Sequence, residues 1–411
     1  MAHWISLNEA TRQLGVRAQT VYAYASRGRI AVMPDPDDPR KSLYRADDVA
    51  GLSKRKSSGR SRETLAAGTI FGDEPCIATA ITTFARGRPF YRGRDVVRLA
   101  DGATLEEVAG VLWGARQAVS FDTPDAPLPG LPAGRPCAFA TLADLAARGH
   151  STLGRVEAAL HAEAGRLVGV VAQAFGAQRD GGLPLHERLS RGWGQGADEA
   201  ELIRRAMVLV ADHEITSSAF SSRITASTGA SLPACLLTGL ATFSGPLHGD
   251  ASGRVRVLFD DIQRLGAEAV VAHHLRSAIP IPGFGHHLYP DGDPRAAALL
   301  AQLSPPPEVA LFVDKVVALT GLLPNIDVAL AALSAQCRLP GDAAFGLFAT
   351  ARSVGLLAHS MEQLRVGMVI RPRGRYTGPA LEEEARPAPP DEGRPDAAVL
   401  DKNRLFRPEL G

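Results

Sequence analysis

From about Ser61 onward the chain holds almost no alternating β-branched runs. Segments rich in Ala and Leu, each broken by Gly or Pro, fill it instead. Apolar residues spaced this way can be buried together only on helices. "TLEEVAGVLWGARQ" opens with a Thr cap and an acidic first turn and closes at a glycine, as a helix should. "ELIRRAMVLVADHE", "GASLPACLLTGLATF", "VRVLFDDIQRLG", "PEVALFVDKVVALTGLL" and "AFGLFATARSVGLLAHSMEQL" carry the same pattern. The expectation is an all-α body of well over ten helices, with no sheet. No repeat of fixed period is present. "GFG" suggests a nucleotide loop only weakly, because no strand precedes it.

At 411 residues the chain has room for two or three domains and a large core. No apolar run approaches the ~20 residues of a membrane helix, and "MAHWISLNEATRQ" is not a secretory leader. We therefore expect a cytoplasmic protein with no membrane partner. Cys76, Cys137, Cys235 and Cys337 stand far apart and form no CxxC pair. They read as buried reduced thiols rather than disulfides or zinc ligands.

Charge is uneven. Residues 1–62 carry 12 Lys/Arg against 6 Asp/Glu, and the rest carries 33 against 38. A basic head precedes a mildly acidic body, which suggests a module with its own partner. "WISLNEATRQLGVRAQTVYAYASRGRI" reads as two short helices: Leu7, Ala10 and Leu14 on one, a turn at Gly15, then Gln19 to Ser26. Val21 with Tyr24 or Ala25 would face the first helix. "PDPDDPRKSLYRADDVAGL" follows as a hairpin or wing, and "SKRKSSGRSR" as a basic linker. The head resembles the MerR and excisionase-like winged helix-turn-helix domains. That resemblance would place Arg17, Gln19, Thr20 and Tyr22 on a recognition helix, and Arg40, Lys41 and Arg45 on a wing touching DNA phosphate. A small domain that packs on protein is the alternative. The expected boundaries are head 1–53, linker 54–66, body 67–378 and a Pro-rich, charged tail 379–411.

Polar chemistry in the body gathers in four apolar surroundings. "FSGPLHGDASG" puts His248 between proline and glycine. "IPGFGHHLYP" does the same for His286. "LLPNIDVALAAL" starts a very apolar helix with Asp327. "VADHEITSSAF" sets Asp212, His213 and Glu214 inside what reads as one buried helix. Singly, each is commonplace: a His beside Gly is usually a satisfied turn, and a carboxylate at a helix start is usually a cap. His273 and His274 read as an exposed helix face.

In order, "ADHE", "RITAST", "GPLHG", "PGFGH", "GDPRA", "NID" and "ARSVGLLAH" resemble the citrate synthases, over about 280 residues from Tyr91 to "IRPRGRYTG". The resemblance implies an all-α fold with a large domain, a small domain at approximately 250–350, and a homodimer with shared active sites. Some family members carry an N-terminal helix-turn-helix of this kind. The implied activity is citrate (Si)-synthase: acetyl-CoA, a co-substrate rather than a bound cofactor, condenses with oxaloacetate. Carried over by position, Asp327 is the base, His248 the donor to the thioester oxygen, and His286 the donor to the ketone. His213, Arg295, Arg352 and Arg371 hold oxaloacetate, Arg371 from the partner subunit. Planar guanidinium groups suit the two carboxylates.

Three places depart from the common pattern. Gly249-Asp250-Ala251-Ser252 stands where Gly-Gly-Ala-Asn is usual. His287-Leu288-Tyr289-Pro290 stands for "RVYK" and loses a basic CoA contact. Thr216 stands where Asn is frequent. Acyl-chain choice therefore stays open, with 2-methylcitrate synthesis from propionyl-CoA as the near variant. A DNA-binding regulator with a metabolite-sensing body is the alternative of another class. An iron triad of two histidines and a carboxylate is weaker, since the flanking arginines suit anions; no metal is expected.

Overall fold

Capping chemistry sets the helix boundaries. The computed structural model describes residues 3–14, 18–26, 30–35, 38, 41–50, 77–122, 130–277, 279–372 and 378–379. Cys76, Arg17, Arg40, the linker at 54–66 and the tail beyond 379 lie outside the described residues, as do the side chains of Gln19 and Ser26. The chain divides into two compact units, one holding the head and the other spanning Pro75–Arg371.

In the head, helices α1 (Leu7–Leu14) and α2 (Ala18–Ser26) are joined by strands β1 (Trp4–Ser6), β2 (Val32–Pro34) and β3 (Ser42–Arg45). The sheet is antiparallel in the order β1-β3-β2, with Tyr44 opposite both Ile5 and Val32. Ile5, Ala10, Leu14, Val21, Ile30, Tyr44 and Val49 form its core, and Tyr24 and Ala25 pack against it. Strand β1 departs from the expected pair of helices. The first helix waits for Ser6 and Glu9, which exchange hydrogen bonds as a capping box (3.3 and 3.1 Å).

The body contains strands β4 (Thr82–Ala85), β5 (Arg88–Tyr91) and β6 (Arg94–Asp95), then fourteen helices among the described residues. These are α3 (Val96–Leu99), α4 (Leu105–Trp113), α5 (Arg135–Arg148), α6 (Glu157–Ala174), α7 (Leu185–Gly192), α8 (Ala197–Val210) and α9 (Ser217–Ser227). They continue as α10 (Leu232–Phe243), α11 (Ala251–Leu265), α12 (Ala267–Arg276), α13 (Pro294–Leu300), α14 (Pro307–Thr320), α15 (Ile326–Gln336) and α16 (Ala343–Val366). The small antiparallel sheet corrects the expectation of none. Its hairpins turn at Arg86-Gly87 and Arg92-Gly93, all four residues at positive φ.

A second correction concerns "ADHE". The helix breaks at residues 211–216. Asp212 Oδ2 takes the backbone N–H of Glu214 (3.1 Å) and the Thr82 hydroxyl (2.6 Å), and Glu214 sits at φ 62°. A side chain that captures nearby amides competes with the helix. This break carries His213 out of the helix.

Two hydrophobic cores share this unit. The first surrounds α16, which is buried along nearly its whole length. The second is built on α11, α12 and α14. Helix α15 lies between them: Ile326, Ala329 and Leu330 face the first core, while Val328, Ala331 and Ala332 face the second. Cys137, Cys235 and Cys337 are buried free thiols.

Candidate active site

The site forms where α15 starts. Asn325 caps that helix by accepting the N–H of Asp327 at 3.0 Å. Asp327 is therefore not the cap. Its Oδ1 is buried with no hydrogen-bond partner. Burial pushes its carboxyl up to about 7; Arg295 and Arg352 oppose the shift and Asp293 adds to it.

The glycine-rich loop is knitted to the residues before α15. Gly285 N–H donates to Leu323 O (2.8 Å), Asn325 N–H to Gly283 O (2.8 Å), and the Asn325 amide to Gly285 O (3.2 Å). Gly283 and Gly285 lie at φ 84° and 76°, and a Cβ on Gly283 would meet Val328 and Val255. His286 follows directly. Its Nδ1 accepts the Leu288 N–H (3.2 Å), so the neutral ring carries its proton on Nε2. Burial, reinforced by Arg295, lowers its pKa to about 4.

His286 lies edge-on to His213, with ring centroids 5.4 Å apart. His213 is buried, and its Nε2 meets the Tyr289 hydroxyl at 3.1 Å. Burial, then Arg295 and Arg352, hold its pKa well below the usual value. Tyr289, the one residue of "RVYK" kept here, is a member of this cluster; Arg295 lies over its ring at 5.2 Å. Arg295 is held by Asp293 through Nε (3.0 Å) and Nη2 (2.8 Å), which leaves Nη1. Asp293 also caps α13 and takes the Ile326 N–H (3.0 Å).

Arg352 comes from the buried middle of α16. It commits Nε to Val210 O (3.0 Å) and stacks on Phe348 at 5.0 Å. His248 lies in the turn after α10, against Phe243 (5.1 Å), with Nε2 2.8 Å from Ser218 Oγ. Burial, with Arg352 adding, lowers its pKa to about 4. No direct contact joins His248 to Asp327; Arg352 acts on both. His213, His286, Asp327, Arg295 and Arg352 thus share one electrostatic neighbourhood, and His248 enters it through Arg352.

Arg371 is exposed beyond α16 and does not join this cluster within its own chain. In the head, Tyr22 is exposed and Thr20 half-buried. Arg45 is committed to Asp48 through two nitrogens (3.0 and 2.7 Å), and Lys41 pairs with Asp38 at 3.1 Å. Among the described residues no three His, Cys, Asp or Glu side chains gather as a metal site. No described helix is long and apolar enough to cross a membrane.

A family model described as "Citrate synthase, C-terminal domain" matches residues 156–373. The citrate synthase of Haloferax volcanii is 35% identical over 191 residues, 44% of this chain and 50% of the relative. The 2-methylcitrate synthase of Shewanella oneidensis is 28% identical over 337 residues, 70% of this chain and 88% of the relative. The chain spans about half the length of the first curated relatives it matches. The solved citrate synthase of Thermotoga maritima superimposes with a TM-score of 0.63 at 24% identity, over 77% of this chain and 97% of that one. Since the family model covers more than half of the chain and spans every residue of the cluster, this chain belongs to the citrate synthase family.

Proposed function

We propose that the protein is an acyltransferase that condenses acetyl-CoA with oxaloacetate to give citrate and CoA. The observation that carries this reading is the half-buried Asp327 carboxyl, whose Oδ1 is buried without a partner and which lies in the field of the Arg295 and Arg352 guanidinium groups. A thioester methyl is very weakly acidic, so its removal needs a base together with a donor at the oxygen where charge develops. Asp327 takes the methyl proton. With Ser218 donating to Nε2, the His248 ring keeps Nδ1–H for the thioester oxygen. The nucleophilic carbon then bonds to the oxaloacetate carbonyl carbon, and His286 Nε2–H donates to the oxygen that becomes the hydroxyl. Water cleaves the thioester and releases the CoA thiol. Arg352, the free Nη1 of Arg295, and His213 hold the dicarboxylate.

A homodimer belongs to this reading. Leu153, Val156, Val366, Met368 and Val369 are each more than half exposed. They share one face: Arg365 pairs with Glu157 (2.9 Å), Thr152 N–H reaches Gly229 O (3.2 Å), and Ile370 N–H reaches Ser227 (3.1 Å). Such an apolar face suits a second copy, and Arg371 follows it directly into the partner's site.

The Shewanella relative favours a second reading, with propionyl-CoA as acyl donor. Thiol release monitored spectrophotometrically with oxaloacetate and each acyl-CoA tests both. Turnover with acetyl-CoA supports the first reading, and preference for propionyl-CoA supports the second. No thiol release from either would reject both.

A further inference from the structure

Two helix caps in this body do not cap. Asp250 stands at the N-cap of α11 and Asp342 at the N-cap of α16, yet neither carboxylate accepts from its own helix. Both turn to Arg135, at the start of α5. Arg135 donates its backbone N–H to Asp342 Oδ2 (3.1 Å), its Nε to Asp342 Oδ1 (3.2 Å), and its Nη2 to Asp250. An N-cap aspartate ordinarily stabilises its helix by binding first-turn amides. Diverting two of them to one guanidinium leaves both helix starts without that bond, and the common destination calls for a reason.

Position supplies one. Asp250 closes the turn that bears His248, in the stretch where Gly249-Asp250 departs from the usual family sequence. That turn is where the chain passes from α10, in the first core, to α11, in the second. The same guanidinium lies 3.9 Å over the Phe345 ring. Phe345 packs on Phe243 (5.6 Å), and Phe243 packs on His248 (5.1 Å) and lies 6.0 Å from Arg352. Arg135 therefore reaches His248 twice, through the turn and through the rings.

We propose that Arg135 is a positioning residue: with Asp250 and Asp342 it fixes the His248 turn on the first core at the junction with the second. It touches no substrate. Its effect on catalysis rests on the role given to His248 above, whereas its effect on the turn does not. The two are therefore read separately.

Hydrogen–deuterium exchange on the full chain tests the turn. Arg135→Met and Asp250→Asn should each speed exchange of residues 244–253 several-fold, and Arg135→Lys by less, with α16 beyond Phe348 unchanged. Steady-state kinetics tests the consequence. A donor displaced by about 1 Å costs about 100-fold in rate, so kcat should fall by that order while oxaloacetate KM moves less than about threefold. Arg135→Met combined with Asp250→Asn should lose no more than the worse single variant. Unchanged exchange at 244–253, or losses that multiply in the double variant, would overturn the proposal. If the wild-type chain condenses nothing, the enzymatic reading fails alone, and exchange still decides the clamp.

Discussion

Asp293 grips Arg295 with both carboxylate oxygens, and one of them also receives the amide of Ile326, the residue before Asp327. The guanidinium proposed to bind substrate is thereby fixed to the backbone that carries the proposed base. The arrangement explains how a guanidinium can be buried with one nitrogen uncommitted: Asp293 balances its charge through Nε and Nη2.

Asp327→Asn keeps the shape and removes the proposed base. We expect kcat to fall by at least about 1,000-fold, within the range for lost general-base catalysis. Oxaloacetate affinity, measured by calorimetry, should stay within about threefold. Equal loss of both would remove Asp327 from the base role.

The same carboxyl sets a pH signature in stability. Its pKa is about 7 in the folded chain against about 3.9 unfolded. The folded state then binds the extra proton, so the cost of ionising it grows as pH rises from about 4 and is complete above about 7. Asp327→Asn should stabilise the protein at pH 8 by up to about 4 kcal/mol, and by nearly nothing at pH 4. His248 and His286 act in the opposite sense. Depressed to about 4, they contribute stability that is complete above about 6.5 and is lost as pH falls toward 4. Melting temperatures across pH 4–8, wild type against Asp327→Asn, separate the two trends.

Arg295→Lys preserves charge but not the fork. An ammonium cannot hold both Asp293 oxygens and a substrate carboxylate in one plane. Losing one charged hydrogen bond should raise oxaloacetate KM about 10- to 100-fold. An unaltered KM would place oxaloacetate elsewhere.

A methyl group on Gly249 would lie 2.2 Å from the Phe243 ring. Gly249→Ala must therefore push Phe243 away from His248, costing about 1–3 kcal/mol of stability. We expect kcat to drop with the fold retained by circular dichroism. Full activity would show that the ring does not set the histidine.

On the exposed apolar face, Val156→Glu together with Met368→Glu should convert a dimer to monomers in light scattering, and activity should vanish with the dimer. An active monomer would exclude Arg371 from a shared site.

The helices of the body were legible in the sequence for physical reasons. Helical spacing and glycine stops are local, as the Thr104–Glu107 box shows. The β4–β6 sheet was hidden because its strands are at most four residues long and its turns use Arg-Gly rather than Asn-Gly. The break at Asp212 was hidden because Thr82, which shares Asp212 Oδ2 with the Glu214 amide, lies 130 residues earlier. Asp293 and Tyr289 look like ordinary loop residues until Arg295 and His213 are placed beside them. Arg45 looked free for phosphate until Asp48, only three residues on, took its fork.

The loop at 283–285 is joined to 323–325 by two main-chain hydrogen bonds and by one from the Asn325 side chain. The seam takes only the carbonyl of Leu323 and asks nothing of its side chain. Leu322 and Leu323 beside it are exposed. Their side chains can therefore change while the hydrogen bonds that space His286 from Asp327 stay in place.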